Sequence, residues 1–301
     1  MMSGMTRPAA PFGTVLTAMV TPFHQDGSLD LDGAAALAEH LVDQGNDGLV
    51  INGTTGEAPT TTDDEKERLL RAVVEAVGGR AHVVAGVGTY DTASTCELAR
   101  QAEKAGAAAL LVVTPYYSRP PQEGLLNHFT TVADATGLPT MLYDLPGRTG
   151  TPITSETLLR LAEHERVVAV KDAKDDLVAS AYVLANTDLA FYSGTDALNL
   201  PLLAIGASGY VSVVSHLFAA RLRDLADAYF VGDVVKAREI NAALIPAYEG
   251  LFRTQGVITV KAALAALGLP SGPVRPPLVD ASDEQKARLR ADLAGAGLSL
   301  P

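Results

Sequence analysis

Lys171 closes the apolar run Val167-Val168-Ala169-Val170, and Tyr143 closes a second run, Met141-Leu142-Tyr143. An ammonium held at the mouth of a dry strand bundle loses hydration, so its pKa falls and a neutral, nucleophilic amine becomes accessible. That is the requirement for imine (Schiff-base) chemistry on a carbonyl compound. The competing reading is a lysine that snorkels, with its stem on apolar surface and its head in water. Lys66, Lys104, Lys174, Lys236 and Lys286 lie in helical or polar contexts. Lys261 follows Val257-Ile258-Thr259-Val260 but runs on into Ala262-Ala263-Leu264-Ala265-Ala266-Leu267, a helix-forming composition rather than a strand end. Lys171 is thus the best-placed amine, and the phenol of Tyr143 can both donate and accept a proton beside it.

Other strand ends add polar groups. Gly53-Thr54-Thr55-Gly56-Glu57 can aim backbone N–H groups and two hydroxyls at an anion, or can simply be a tight turn before a capped helix. Thr114-Pro115-Tyr116-Tyr117 brings two tyrosines, a pair that also suits an interface or a core. Arg148, after Pro146-Gly147, offers a guanidinium fork for a carboxylate, or a solvated loop cation. Gly194 and Val211 close or line later strands, where small groups and carbonyls would leave room for a substrate.

These residues need a scaffold that brings strand ends to one face. Apolar runs at 14–20, 48–52, 82–87, 109–113, 140–144, 167–171, 190–193 and 209–214 alternate with amphipathic stretches. Eight near-continuous apolar strands separated by helices indicate a parallel sheet covered on both faces and closed on itself. The expectation is an α/β fold, a (β/α)8 TIM barrel with additional C-terminal helices, and an open doubly wound sheet is the structural alternative. Gly45, Gly79, Gly106 and Gly137 each precede a strand and suit left-handed helix C-caps. Thr62-Asp63-Asp64-Glu65 reads as a capping box, which accounts for Glu65 without a catalytic role. The division expected is a flexible leader over 1–12, a catalytic barrel over 13–230 and a helical extension over 231–301.

Composition narrows the partners. With 301 residues and 48% of them hydrophobic, the chain can bury one large core. Its 23 basic and 35 acidic residues give a net charge of -12, which argues against nucleic acid and anionic membrane surfaces as partners. Cys96 is the only cysteine, and the six histidines show no pair at metal-ligand spacing, so no disulfide, metal or cofactor is expected. Met1 to Phe12 lacks the apolar core of a signal peptide, and no later run approaches the length of a membrane span, so a cytoplasmic location is expected.

From about residue 13 to the C-terminus the chain resembles the dihydrodipicolinate synthase and N-acetylneuraminate lyase family of pyruvate-dependent class I aldolases. The matching stretches are GTTGE at 53–57, TPYYSRPPQEGL at 114–125, YDLPGRTG at 143–150, VAVKDA at 168–173 and YSGTDALNLP at 192–201. The resemblance implies that Lys171 forms the imine with pyruvate and that Tyr143, Thr54 and Tyr117 form a hydroxyl relay. It implies further that a neighbouring subunit of a homotetramer lends Tyr117, and that Thr54 and Thr55 hold the pyruvate carboxylate. An arginine in the position of Arg148 implies recognition of aspartate-4-semialdehyde, giving 4-hydroxy-tetrahydrodipicolinate for lysine and diaminopimelate synthesis. Sialic-acid lyases lack it and carry an acidic residue where this chain has Ala197.

The chain departs from the synthases at Ser193-Gly194-Thr195-Asp196, where they usually read Ser-Gly-Asp-Asp, so one acceptor-side carboxylate is missing. Around the inter-subunit pocket of lysine-inhibited synthases it carries Ala58, Pro59, Asp63, Lys66, Tyr90 and Ser94, which implies weak or absent feedback by lysine. The alternatives are an aldolase or dehydratase acting on a 2-keto-3-deoxy sugar acid, for which the same lysine would serve, and a non-catalytic keto-acid-binding paralogue.

Overall fold

Eight short strands, each rich in Val, Leu, Ile or Ala, form one closed parallel barrel in sequence order. They are β1 Val15–Ala18, β2 Gly48–Ile51, β3 His82–Gly86, β4 Ala109–Val113, β5 Thr140–Asp144, β6 Val167–Asp172, β7 Ala190–Ser193 and β8 Gly209–Ser212. The computed structural model describes residues 8–301. Between and after the strands run α1 Leu31–Asp43, α2 Asp63–Val77, α3 Thr92–Lys104, α4 Gln122–Asp134, α5 Pro146–Thr149, α6 Ser155–Leu161, α7 Leu177–Asn186, α8 Asn199–Ala204 and α9 Ser215–Phe230. Three more helices, α10 Val234–Leu251, α11 Gly256–Ala266 and α12 Asp283–Gly295, follow the barrel, with α10 packed on α9 and α12. The sheet is closed, not open and doubly wound. Among the described residues no helix is long and apolar enough to cross a membrane.

Every apolar run expected to be a strand is one, with differences at the ends. β8 stops at Ser212 because the N–H groups of Val213 and Val214 donate to the Asp196 carboxylate at 2.9 and 3.1 Å instead of continuing the ladder. Gly45 and Gly106 take the left-handed conformation expected of them, with φ of +99° and +89°. Gly79 and Gly137 do not: α2 is closed by Gly78 in a right-handed conformation, and α4 ends at Asp134, with the Gly137 N–H donating to Glu103 at 2.7 Å. The capping box at Thr62 and Glu65 is present in both directions.

Of the leader expected over 1–12, residues 1–7 lie outside the described residues. At its end Phe12 is buried, packs against His82 and Tyr192, and donates its N–H to the Tyr192 hydroxyl at 3.2 Å. The packed chain therefore starts before residue 13.

β5 and β6 pair with a one-residue irregularity: Thr140 stands opposite Val167 but Met141 opposite Ala169, so Val168 is passed over. The slip brings Tyr143 opposite Lys171 instead of Val170, and a shift of one residue exchanges the two faces of a strand. Closure between β1 and β8 depends on a missing side chain. The Tyr210 N–H donates to Thr14 O at 2.8 Å, and a β-carbon at Gly209 would overlap that same carbonyl. Gly209→Ala is expected to lower folding stability by about 1–3 kcal/mol, the usual range for forced overpacking, read as an earlier midpoint in urea denaturation; an unchanged midpoint would mean that the seam can open at no cost.

Candidate active site

Lys171 and Tyr143 come from neighbouring strands at the C-terminal end of the barrel, the face that carries the chemistry in barrels of this kind. Both are buried, at 5% and 6% exposure, and the Lys171 Nζ lies 4.3 Å from the centroid of the Tyr143 ring. Loss of hydration draws the Lys171 ammonium down to about 8; the Asp196 carboxylate opposes that fall and the Arg148 guanidinium adds to it. Burial pushes the Tyr143 phenol up to about 12, while a hydrogen bond with Thr54 and the charge of Arg148 pull the other way. A lysine with an accessible neutral form thus stands beside a phenol that keeps its proton, the pairing that imine formation requires.

Asp196 is a group the sequence reading left without a role. Its carboxylate is fully enclosed and accepts from the Ser212 hydroxyl, from the N–H groups of Val213 and Val214, and from Asn199 Nδ2 at 3.2 Å. Burial raises its pKa and these donors counter the rise. Gly194 lies directly against the lysine: a β-carbon there would stand 3.1 Å from Lys171 Cε and 3.1 Å from Asp172 O. Any larger residue would press on the lysine stem.

Thr54, Tyr143 and Arg148 line a cavity of about 490 Å³ that continues past Asn52, Gly88 and Tyr116 to a lobe bounded by Ala58, Pro59, Lys66, Tyr90 and Ser94. Arg148 is exposed at the cavity edge, where its Nη2 donates to Gln255 Oε1 at 2.6 Å just before α11. Thr55 follows Thr54 in the turn but is not part of the cavity wall, and Val211 is wholly buried in β8 opposite Leu16, away from it. Tyr117 is not gathered in with these residues. It is 92% exposed, with φ of +71°, and it is Tyr116 that turns inward to meet Tyr90 edge to face at 5.5 Å between centroids. At the departure from the synthase pattern, Thr195 Oγ1 donates at 2.7 Å to Asp175 Oδ1 in the loop after β6.

The strand ends are clamped from outside. Asp144 and Asp172 follow Tyr143 and Lys171 and stand opposite each other. Asp172 accepts from the Ser180 hydroxyl and from the Lys174 N–H at 2.9 Å, and Lys174 Nζ sits 3.4 Å from Asp144 and donates to Ile153 O at 3.1 Å. Burial, only partly offset by the Lys174 charge, raises Asp144 to about 6. Lys174, read from the sequence as lying in a polar context, is mostly buried within this cluster. The signal available was the repeated Asp after each of the two key residues.

The chain matches the model of the dihydrodipicolinate synthetase family over residues 11–296. It is 68% identical to the 4-hydroxy-tetrahydrodipicolinate synthase of Acidothermus cellulolyticus, covering 99% of this chain and 96% of that protein. Identity is 62% with 4-hydroxy-tetrahydrodipicolinate synthase 2 of Streptomyces coelicolor, over 99% of this chain and 100% of the relative. Among solved structures, the dihydrodipicolinate synthase of Cyanidioschyzon merolae with lysine bound superposes with a TM-score of 0.94 at 40% identity, over 96% of this chain and 100% of that one. With the barrel, the paired Lys171 and Tyr143 and these likenesses together, the chain belongs to the dihydrodipicolinate synthetase family.

Proposed function

We propose that this protein condenses pyruvate with L-aspartate-4-semialdehyde to give 4-hydroxy-tetrahydrodipicolinate, using Lys171 as the imine-forming amine. The observation that carries the reading is Lys171, buried, drawn down to about 8 and set against the Tyr143 ring. The neutral amine adds to the keto carbon of pyruvate, and water leaves to form the imine, with Tyr143 and Thr54 passing the proton. The imine then withdraws electrons, so the pyruvate methyl loses a proton and the resulting enamine attacks the aldehyde carbon of the second substrate; the amino group of that substrate next adds to the re-formed imine carbon and displaces Lys171 as the free amine, which closes the ring of the product. Thr54 and Thr55 hold the pyruvate carboxylate, and Arg148 holds the carboxylate of the semialdehyde at the cavity edge. Gly194 leaves room around the lysine stem, and Val211, buried in β8 away from the cavity, contributes to the barrel wall and makes no contact with substrate. The chemistry needs no metal or cofactor.

The catalytic unit is the barrel over 13–230, with 231–301 as a helical extension, in a cytoplasmic enzyme. A cleavage reaction on a 2-keto-3-deoxy sugar acid finds less support, since relatives 54–68% identical to this chain bear the synthase name. Those same relatives weigh against a non-catalytic keto-acid-binding protein.

A coupled assay with pyruvate, the semialdehyde and dihydrodipicolinate reductase is expected to show turnover that Lys171→Ala abolishes, while Arg148→Ala raises the semialdehyde KM by about tenfold, the effect of losing one charged, bidentate contact. Pyruvate should also become covalently attached to Lys171 on borohydride reduction. The rate of that step should rise about tenfold per pH unit up to about pH 8 and level off above it, because the reactive form is the free amine. A pH-independent rate would mean that the amine does not titrate near 8, and full turnover in Lys171→Ala would remove the lysine from the mechanism.

Tyr117, 92% exposed in the single chain, completes the relay only if a neighbouring subunit of a homotetramer lends it. Sedimentation velocity is expected to give a tetramer; a monomer with full turnover would strike Tyr117 from the site.

Lys66 projects into the outer lobe of the cavity, where its ammonium donates to Thr61 O at 2.7 Å and Asp63 Oδ1 at 3.2 Å. A cation is therefore already in place where a lysine effector would bring another. Free lysine at about 1 mM is expected to leave at least half of the activity, a like-charge penalty; stronger inhibition would contradict this account of the lobe.

A further inference from the structure

Glu57 ends the Gly53-Thr54-Thr55-Gly56-Glu57 turn and is wholly out of contact with the cavity that turn serves. Its side chain is 1% exposed and pairs at 2.6 Å with the ammonium of Lys261, itself 3% exposed, on α11. The two charges are otherwise satisfied by backbone: Glu57 Oε2 accepts the Arg275 N–H at 2.8 Å, and Lys261 Nζ donates to Pro273 O at 2.8 Å and lies 4.3 Å from the centroid of the Phe23 ring. Nearby, the Arg275 guanidinium grips the Glu65 carboxylate at 2.6 and 2.9 Å and the carbonyls of Gly27 and Thr60. The segment around 271–275 is thereby folded onto the back of the turn.

Two features point beyond simple packing. Glu57 occupies the left-handed conformation, φ 56° and ψ 35°, where glycine fits more cheaply, so the carboxylate side chain is retained against a backbone cost. A buried ion pair, moreover, is often no more stable than apolar residues of the same shape, so stability alone does not account for one here. What the pair does fix is position. The Glu57 N–H donates to Thr54 O at 3.2 Å, the Ala58 N–H to Gly53 O at 3.3 Å, and Thr21 Oγ1 to Gly56 O at 2.6 Å. Through this two-residue span, any displacement of Glu57 is passed to Thr54 and Thr55. α11 holds the opposite side of the mouth as well, since Gln255 at its start receives Arg148.

We infer that the buried Glu57–Lys261 pair is a positioning device by which the C-terminal helical extension sets the Thr54-Thr55 turn for the carboxylate of the keto acid. The inference rests on the proposed pyruvate chemistry. Both residues act through the turn, and neither touches substrate.

The test compares the full-length protein with Lys261→Met and with Glu57→Gln/Lys261→Met, measuring the pyruvate concentration that half-saturates borohydride trapping on Lys171 and, separately, the urea midpoint. The single variant leaves a buried carboxylate without its counter-charge and should lose stability and pyruvate affinity together. The double variant removes that lone charge, so the midpoint should recover by at least half, yet half-saturation should stay at least fivefold above the unaltered protein, with the semialdehyde KM within twofold. If pyruvate half-saturation recovers along with the midpoint, the pair is structural only and the inference falls. Should Lys261→Met fail to fold, the double variant decides by the same fivefold criterion. No adduct on the unaltered protein would overturn the proposed function, and this inference with it.

Discussion

The register between β5 and β6 is the constraint on which the site depends. A parallel ladder starting from Thr140 and Val167 would set Tyr143 against Val170; passing over Val168 sets it against Lys171. Only then do amine and phenol share one face of the sheet, close enough for the ammonium to lie over the ring. Barrel closure supplies the second condition. Because the strands leave no edge and their inner faces are filled with apolar side chains, water is kept from the lysine stem, and desolvation becomes the largest influence on its charge.

Burial works against the cationic form of so enclosed a lysine, and a nearby negative charge opposes it. Asp196 does so from the next strand connection. Its carboxylate takes four donors, two of them N–H groups at the point where β8 gives way to α9. Those donors also end β8, so one carboxylate both terminates a strand and tempers the amine on another. The outer clamp of Asp144, Asp172, Lys174 and Ser180 does comparable work for the strand ends, holding β5 and β6 to the loop that follows them. Rigid elements place the reacting groups, and polar groups behind them fix the rotamers, which is how a site keeps its geometry within fractions of an ångström.

Much of this was legible in sequence because it is local. A strand end is marked by where an apolar run stops, so Lys171 and Tyr143 stood out, and the Thr62 capping box carries its own signature over four residues. The slip at Val168 was not legible: in a run of Val and Ala every residue suits both faces, and nothing in the letters says which one is passed over. Gly79 and Gly137 misled for a related reason, since a glycine near a helix end signals freedom of conformation without requiring that it be used. Lys261 was correctly read as helical, but its charge was out of reach, since Glu57 lies some two hundred residues earlier and the match is made only by the fold. Glu65 likewise was explained by its cap, yet it also takes the Arg275 guanidinium, which helps hold it down to about 2.

Two kinds of structure surround the cavity, and Thr195, one of the departures from the expected family pattern, belongs to the more exposed kind. The amine, the phenol and the carboxylate behind them belong to strands or to residues bonded into strand ends, where a change of one atom disturbs packing on all sides. Thr195 and Asp175 belong to loops and Arg148 to the single turn of α5: Thr195 reaches Asp175 across twenty residues, and Arg148 is fastened to Gln255 from the C-terminal extension. Where the family resemblance leads one to expect an aspartate, Thr195 holds a carboxylate of another loop through its hydroxyl. Such an exchange is tolerable on loops because their side chains are exposed and their geometry is set by a few hydrogen bonds. Lys171 and Tyr143 are therefore fixed by the barrel, and the more exposed groups above them can change without disturbing the lysine.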